Sequence, residues 1–184
     1  MRSLIWGLVL GTFVSVAPVV NGQEKTVMVG GAAMYATKDI VDNAMNSKDH
    51  TTLVAAVKAA GLVDTLKGKG PFTVFAPTND AFSKLPTGTV DTLLKPENNA
   101  KLKNVLTYHV VAGTMDSKAL MAKTKAGNGK AELETVSGAK LWVVMDGSKL
   151  HLRDEQGMTA NITIADVRQS NGVIHVIDSV VMAK

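Results

Sequence analysis

Apolar residues in the first half of the chain recur every three or four positions, which predicts amphipathic helices packed against a core. Thr37 can cap a helix over residues 38–46, and Thr51 or Thr52 can cap a second helix that Gly61 ends. Further helical segments are predicted after the caps Thr78 or Asn79, after Pro96, and from Ser117 to Lys123. The helices therefore come mainly before residue 124.

Strand spacing dominates the second half of the chain. Residues 72–76 and 108–111 are predicted as early strands, the first of them stopped by Pro77. The later strands form two hairpins: 141–144 with 150–152 around Asp146-Gly147, and 160–167 with 173–182 around residues 170–172. Helices followed by hairpins favour an α+β fold with antiparallel pairing.

The N-terminus has the pattern of a secretory signal. Arg2 precedes an apolar run from Leu4 to Val20, and small residues follow, which predicts a signal peptide over residues 1–22. A membrane anchor is the alternative, which internal glycines and Pro18 weaken. Residues 23–35 are interpreted as a leader and residues 36–184 as one domain. We expect a secreted or periplasmic protein without stable membrane insertion after the signal is removed.

Composition excludes several protein classes. The 184 residues include 20 Lys and Arg, 16 Asp and Glu, no cysteine and 46% hydrophobic residues, with a formal net charge of +4. That hydrophobic fraction is too high, and the net charge too low, for an intrinsically disordered chain. Without cysteine there is no disulfide, no thiolate zinc site, no iron–sulfur cluster and no cysteine nucleophile.

Motifs that carry catalytic or cofactor chemistry are missing from the sequence. No serine lies in a Gly-x-Ser-x-Gly turn, the phosphate-loop and dinucleotide glycine patterns are incomplete, and no two histidines have the spacing of a metal site on a helix. His109 and His175 fall in apolar strand patterns, which favours hydrogen-bonded core histidines. We therefore predict no catalytic residue, no metal site and no cofactor.

The basic residues do not predict a nucleic-acid partner. Aromatic residues are few and lie mostly in core-like settings, so a platform for stacking bases is not expected. The lysines look scattered over a solvated surface, among them Lys58, Lys67, Lys69, Lys84, Lys101 and Lys103.

Three segments together resemble the fasciclin domain family. They are the stretch Phe72-Thr-Val-Phe-Ala-Pro-Thr-Asn-Asp-Ala-Phe82, the pair Tyr108-His109, and the stretch Asn171-Gly-Val-Ile-His-Val-Ile-Asp178. Their order and spacing resemble that family over residues 36–182, and a single domain behind a signal peptide is similar to small exported bacterial fasciclin proteins. The resemblance implies a wedge of antiparallel strands with several helices packed along one side.

The same segments supply the structural residues. Aromatic side chains of the first segment are expected to anchor its strand and the following turn, and Asn79 or Asp80 to cap that turn. The resemblance also implies that one of these two polar residues pairs with His109, which would make the histidine structural. The full set of expected structural residues is Phe72, Phe75, Asn79, Asp80, Phe82, His109, Asn171, Gly172, His175 and Asp178.

The resemblance further implies a site of contact with a partner. In animal members, contact is linked to an acidic-aliphatic pair and to the tyrosine–histidine region, which match Asp166-Val167 and Tyr108-His109 here. Replacement of Asp166 by alanine is then expected to alter contact with little change in melting. The alternative for Asp166 is a strand residue with a solvated carboxylate.

Two functions remain open from the sequence. The first is a non-enzymatic, exported adhesion or extracellular-matrix interaction module with a protein or polysaccharide surface ligand, as the resemblance implies. The second is a carrier of a small hydrophobic ligand in the periplasm or outside the cell, suggested by a chain rich in Met, Val and Leu. An enzyme is supported by no motif.

Overall fold

The structure is a computed structural model that describes residues 26–184, so the signal peptide predicted over residues 1–22 lies outside the described residues. Within residues 26–184, seven α-helices and two short 3₁₀ helices lie before residue 127. The α-helices are α1 (Ile40–Asn46), α2 (Thr51–Ala59), α3 (Val63–Lys67), α4 (Asn79–Ser83), α5 (Thr89–Leu94), α6 (Asn99–Tyr108) and α7 (Ser117–Ala126). The 3₁₀ helices are Lys48–His50 and Pro96–Asn98.

In the described part of the chain, nine strands form a two-stranded hairpin and a seven-stranded sheet. The hairpin consists of β1 (Val27–Val29) and β2 (Ala32–Met34). The sheet has the order β4-β3-β9-β8-β7-β6-β5 and consists of β3 (Phe72–Pro77), β4 (Val110–Ala112), β5 (Lys130–Glu134), β6 (Lys140–Asp146), β7 (Lys149–Arg153), β8 (Thr159–Gln169) and β9 (Gly172–Ile177). The predicted α+β class is confirmed.

One strand pair of this sheet differs from the antiparallel prediction. Strand β3 runs parallel to β9, in register from Phe72 opposite Gly172 to Pro77 opposite Ile177. A parallel pair requires a crossover connection. Here the crossover runs from the end of β3 at Pro77 to the start of β9 at Gly172. Hairpin patterns in the sequence mark neighbouring strands only, so they do not indicate this parallel pair. The other pairs in the sheet are antiparallel.

The two edges of the sheet approach each other and nearly close it. Val111 forms an antiparallel bridge with Thr135, and the amide of Val136 donates a 2.8 Å hydrogen bond to the carbonyl of Val110. Because Thr135 follows β5 directly, the far edge of the sheet meets β4. The resulting curved sheet has an inner face closed off from solvent and an outer face.

Two hydrophobic cores follow from this arrangement. One lies between the helices and the β3–β9 part of the sheet, and includes Leu53, Val57, Phe82 and Leu106. The other fills the inside of the curved sheet and is formed by Phe75, Tyr108, Val111, Leu120, Leu133, Leu141, Val143, Leu150, Leu152, Ala160, Ile177 and Val181. Helix α7 contributes Leu120 to the second core and packs against β5 and β6.

Local predictions and structure differ at the start of α1 and at the end of α6, and part of the predicted leader packs against the helical core. Helix α1 is capped by Asp39, whose Oδ1 accepts a 2.8 Å hydrogen bond from the amide of Asp42, so the helix starts two residues later than the Thr37 cap predicts. Tyr108 ends α6 and His109 is its C-cap, so neither belongs to a strand. Val29 and Met34, from the leader predicted over residues 23–35, are both 3% exposed, and their hairpin is part of the helical core.

Gly172 lies where β9 begins beside β3, and we predict a large cost for Gly172→Ala. A Cβ atom at this position would lie 2.0 Å from the carbonyl oxygen of Phe72, and a backbone oxygen cannot move aside as a flexible side chain does. We expect a loss of about 2 kcal/mol or more in the free energy of unfolding, measured by urea denaturation.

Gly138→Ala is the control for this prediction. Gly138 has φ +84° and no heavy atom within 4 Å of the added Cβ, so the substitution carries only the conformational cost of about 1 kcal/mol. Equal losses in the two variants would contradict the close approach of β3 and β9.

Candidate functional site

The three segments that resemble the fasciclin family meet where β3 pairs with β9. Parallel pairing places Phe75 of β3 beside His175 of β9, and their rings stack with centroids 5.6 Å apart. The amide of Phe75 also donates a 2.9 Å hydrogen bond to the carbonyl of His109, which follows α6. One buried unit therefore contains residues from all three segments.

His109 is a buried structural histidine whose partners are backbone groups. Its Nδ1 lies 2.8 Å from the carbonyl oxygen of Val105, and its Nε2 accepts a 3.2 Å hydrogen bond from the amide of Val181. This pattern fits a neutral ring that carries its proton on Nδ1. Burial lowers the pKa of His109 to about 4. The expected pairing of His109 with Asn79 or Asp80 is wrong.

Asn79 instead joins the start of α4 to the start of α2. Its Oδ1 accepts hydrogen bonds from the Thr51 hydroxyl and the Thr52 amide, and its Nδ2 donates a 2.8 Å bond to the carbonyl of Lys48. The cap of α4 is the neighbouring Thr78, which accepts from the amide of Ala81, and Asp80 is exposed. Asn79 thus has a structural role, but in a different place from the expected one.

Tyr108 and Val167 cannot contact a partner in this fold. Tyr108 is 0% exposed, and its hydroxyl donates a 2.7 Å hydrogen bond to the carbonyl of Lys140. Burial raises the pKa of the Tyr108 phenol to about 12. Val167 is 1% exposed and belongs to the helical core. The proposal of these two residues as contact residues is therefore corrected.

Asp166 is partly buried and holds the start of α7. It lies at an irregularity in β8, where the register with β9 shifts between Ile164 and Val167, and its φ is +60°. Its Oδ1 accepts a 2.6 Å hydrogen bond from the amide of Ser117, and its Oδ2 accepts from the Ser117 hydroxyl. The carboxylate is thus engaged within the fold, unlike the solvated side chain of the alternative interpretation.

His175 supports the same junction from inside. Its Nδ1 accepts a 3.3 Å hydrogen bond from the amide of Asp166, and its Nε2 lies 2.8 Å from the carbonyl of Met115. Met115 directly precedes the cap of α7. Burial lowers the pKa of His175, so the neutral ring is favoured. His175 and Asp166 together fix the connection between the sheet and α7.

The geometry at Asp166 predicts destabilisation rather than unchanged melting in Asp166→Ala. The substitution removes the acceptors of the Ser117 amide and hydroxyl, and it places alanine in a left-handed conformation. We expect a loss of about 1–3 kcal/mol in thermal or urea unfolding.

Asp166→Asn is the matched variant. Asparagine keeps one side-chain acceptor and adopts positive φ more readily than alanine, so it should cost less than Asp166→Ala. A variant Asp166→Ala that melts like the wild type would contradict the structural role of this residue.

The other expected structural residues lie in or beside the two cores. Asn171 connects three elements: its Oδ1 accepts from the amide of Ile40, and its Nδ2 donates to the carbonyls of Leu66 and Gly68. Phe82 is buried in the helical core, and Phe72 packs half-buried against it. Asp178 accepts hydrogen bonds of 2.8 and 2.7 Å from the backbone and side-chain amides of Asn161.

Several organising residues were missed by the sequence analysis. Thr73 is buried in β3 and bonds both the carbonyl of Gly113 and the amide of Met115, which fixes the approach to α7. Asp154 is buried and accepts from the amides of Gln156, Met158 and Met182. Its signal was the polar Asp-Glu-Gln-Gly turn at residues 154–157, which is typical of an Asx turn.

Residues 26–184 contain no group of three or more His, Asp or Glu side chains placed to hold a metal ion. In the same part of the chain, no helix is long and apolar enough to cross a membrane. Both nitrogens of His109 and of His175 have hydrogen-bond partners in the interior. The central unit therefore serves to position elements of the fold.

Known proteins are similar to this chain in sequence, and a solved structure is similar to it in fold. The chain is 46% identical over 159 residues to protein sll1483 of Synechocystis sp., covering 86% of this chain and 81% of that protein. It is 33% identical over 159 residues to the cell surface glycolipoprotein MPB83 of Mycobacterium bovis, covering 83% and 64% respectively. Among solved structures, a FAS1 domain pair from the insect cell adhesion molecule Fasciclin I matches with a TM-score of 0.55 and 23% identity, covering 71% of this chain and 43% of that chain.

The family follows from a match over most of the described chain. The family model of the Fasciclin domain matches residues 48–183, a range that contains all three segments that meet where β3 pairs with β9. The solved Fasciclin I pair shows the same fold at low identity, in agreement with the nearly closed sheet and its helices. The chain belongs to the Fasciclin domain family.

Proposed function

We propose that this protein is an exported, non-enzymatic module that works by contact between its exterior and a protein or polysaccharide surface, in adhesion or in the extracellular matrix. The observation that carries the proposal is the use of the family segments inside the fold. His109, His175 and Tyr108 are buried and hydrogen-bonded, and Asp166 is engaged with Ser117. Such a unit supplies rigidity, and a rigid scaffold suits docking.

The comparisons support contact at a cell surface or outside the cell. Membership of the Fasciclin domain family is shown, one relative is named a cell surface glycolipoprotein, and the Fasciclin I structure comes from a cell adhesion molecule. The N-terminal pattern of residues 1–22 points the same way, because it predicts a secretory signal. A secreted or periplasmic location is therefore part of the proposal.

The alternative of a hydrophobic carrier gains no support from the interior. An apolar cavity between α1, α2, α6 and β3 has a volume of about 40 Å³ and is lined by residues such as Val41, Leu53 and Leu106. Cavities that bind benzene are about 150 Å³, and sites for larger ligands about 300–1,000 Å³. A lipid or isoprenoid would need substantial rearrangement of the helical core.

Retention on native matrix tests the proposed function. Purified protein is labelled and added to extracellular matrix and to cells of the source organism, next to a labelled unrelated protein of the same size and net charge. We expect saturable retention that excess unlabelled protein competes away. Retention no greater than that of the unrelated protein would overturn the proposal. Release of new reducing ends from the matrix would instead indicate an enzyme.

A further inference from the structure

The outer face of strands β6, β7 and β8 carries three rows of polar side chains. Burial alternates along each strand, so every second residue faces solvent. The strand register aligns Trp142 with Arg153 and Thr159, then Val144 with His151 and Asn161, and finally Asp146 with Lys149. Residues distant in sequence thus share one surface.

This surface is concave. A depression of about 280 Å³ is lined by Val144, Asp146, His151, Arg153, Thr159 and Asn161, and we call it the outer groove. The lining groups include hydrogen-bond donors and acceptors around the aliphatic residues Val144 and Leu152. Such a mixture suits a ligand rich in hydroxyl groups rather than a lipid.

A chain of hydrogen bonds orders the polar groups of the outer groove. Asp178 accepts from the Nδ2 of Asn161, so the Oδ1 of Asn161 is free to accept, and it lies 2.6 Å from Nδ1 of His151. The Nδ1 of His151 donates this hydrogen bond, so Nε2 is the ring nitrogen left for a ligand. No other hydrogen bond to His151 occurs within residues 26–184. The groove therefore presents an oriented imidazole nitrogen to an incoming polar group.

Three basic side chains lie in or beside the outer groove. Arg153 lies in it, Lys149 is aligned with Asp146 at its end, and Lys130 of β5 has its ammonium 4.6 Å from the ring centroid of Trp142. None of these three cations forms a salt bridge in the part of the chain that the structure describes. Lys140, by contrast, is paired with Glu132 at 3.0 Å. Of the acidic residues on this face, Asp146 lines the groove, and Glu132 and Glu134 lie beside it in β5.

We propose that the outer groove binds an acidic polysaccharide. Carboxylates of the polymer are recognised by Arg153, Lys149 and Lys130, and its hydroxyl groups by His151, Asn161 and Asp146. Trp142 at the edge offers an apolar ring to a sugar face. A nucleic acid is a poorer fit because the groove has a single neighbouring aromatic residue. This inference rests on the proposed function and names its partner class.

Titration of the purified full-length protein with alginate, a polyuronate, tests the inference. Affinity is measured by calorimetry at low and physiological salt, with neutral dextran, single-stranded DNA and anionic phospholipid vesicles as comparison ligands. The groove variant is Arg153→Gln with Lys149→Gln. The matched control is Lys123→Gln with Lys125→Gln, which removes the same charge from two exposed lysines of α7 that also lack salt bridges.

We expect alginate to bind in a salt-dependent manner and dextran at least about tenfold more weakly. The groove variant should lose at least about tenfold in alginate affinity, while the control stays close to wild type. Equal losses in the two variants, no alginate binding by the wild type, or equally tight binding of DNA or vesicles would overturn the inference. Melting temperatures of both variants confirm that they are folded.

The matrix-retention experiment separates this inference from the proposed function. If the wild type is retained on matrix and the groove variant is retained equally, the groove assignment fails while the contact function stands. If the wild type is not retained at all, the proposed function itself fails.

Discussion

Replacement of Phe75 by alanine is expected to lower the free energy of unfolding by about 3–5 kcal/mol. Phe75 is fully buried where the three family segments meet, and it contributes to the core inside the curved sheet. The substitution removes its stacking with His175 and leaves a cavity between β3 and that core. Urea denaturation measured by circular dichroism gives the change directly.

Phe72→Ala is the matched control because it makes the same substitution in the same strand. Phe72 is half-buried against the helical core, so less apolar surface returns to water on unfolding of the wild type. We expect the Phe75→Ala loss to exceed the Phe72→Ala loss by at least about 1 kcal/mol. Equal losses would contradict the central position of Phe75. Matrix retention of either variant should fall only as its folded fraction falls.

In this fold the interior residues connect the elements, and the polar residues of the exterior stay available for contact. The hydrogen bonds of Asp166, His175 and Asn171 join elements within the fold, so these residues are poor candidates for direct contact with a partner. Side chains of the outer strand face, such as Arg153, stay exposed on a sheet that this interior holds in place. Substitutions inside should therefore reduce contact together with stability, and substitutions outside should reduce contact alone.

Local signals in the sequence predicted much of the secondary structure. The Asp146-Gly147 pair lies between two alternating runs, and the structure has β6 and β7 paired from Trp142 with Arg153 to Asp146 with Lys149. Thr78, one of the two caps offered for the turn after Pro77, caps α4. Such features depend on neighbouring residues only, so a single sequence contains the information.

Features that depend on distant residues were not predictable in the same way. The parallel pairing of β3 with β9 joins positions about 100 residues apart, and no turn residue marks it. The apolar run from Tyr108 to Val111 fits either a helix end or a strand, and packing decided that Tyr108 belongs to α6. The positive φ of Asp166 arises from an irregularity in β8 that alternation does not reveal.

Contact residues were the weakest part of the sequence analysis for a related reason. The resemblance pointed to Tyr108 and Val167, but exposure is a property of the folded chain, and both side chains are buried. The outer groove is the converse case. Lys130 lies in β5, whereas Lys149 and Arg153 lie in β7, and only the register of these strands with β6 brings the three residues to one face.

Acid should destabilise the protein between pH 7 and pH 5. Burial lowers the pKa values of His50, His109 and His175 in the folded state, that of His109 to about 4. Near pH 6.5 the histidines of the unfolded chain bind protons, whereas those of the folded chain stay neutral. The histidines' full contribution to the free energy of unfolding is therefore present above that pH and is lost as the pH falls toward 4. From its own shift, His109 contributes a loss of about 2 kcal/mol by pH 5. His50 and His175 act in the same direction.

The variant His109→Gln tests how much of the acid destabilisation comes from His109. Glutamine removes the titrating group and keeps one donor and one acceptor, so we expect the variant to be less stable than wild type at pH 7 by about 1–3 kcal/mol. The variant has no imidazole at position 109 whose protonation would favour the unfolded chain at low pH. The difference in the free energy of unfolding between wild type and variant should therefore be about 2 kcal/mol smaller at pH 5 than at pH 7. Urea denaturation of both proteins at half-unit pH steps measures it.

The titration of carboxylates does not mask the effect of the histidines between pH 7 and pH 5. Hydrogen bonds from the amides of Lys184 and Lys140 hold the pKa of Glu155 below its ordinary value, and the Asp116 carboxylate is similarly lowered by its bond from Ala119. Groups with lowered carboxyl pKa values lose their stabilising effect below about pH 4, beneath the range in which histidine acts. A wild type whose stability is flat from pH 7 to pH 5, or a variant with the same slope, would mean that His109 is not a buried neutral histidine.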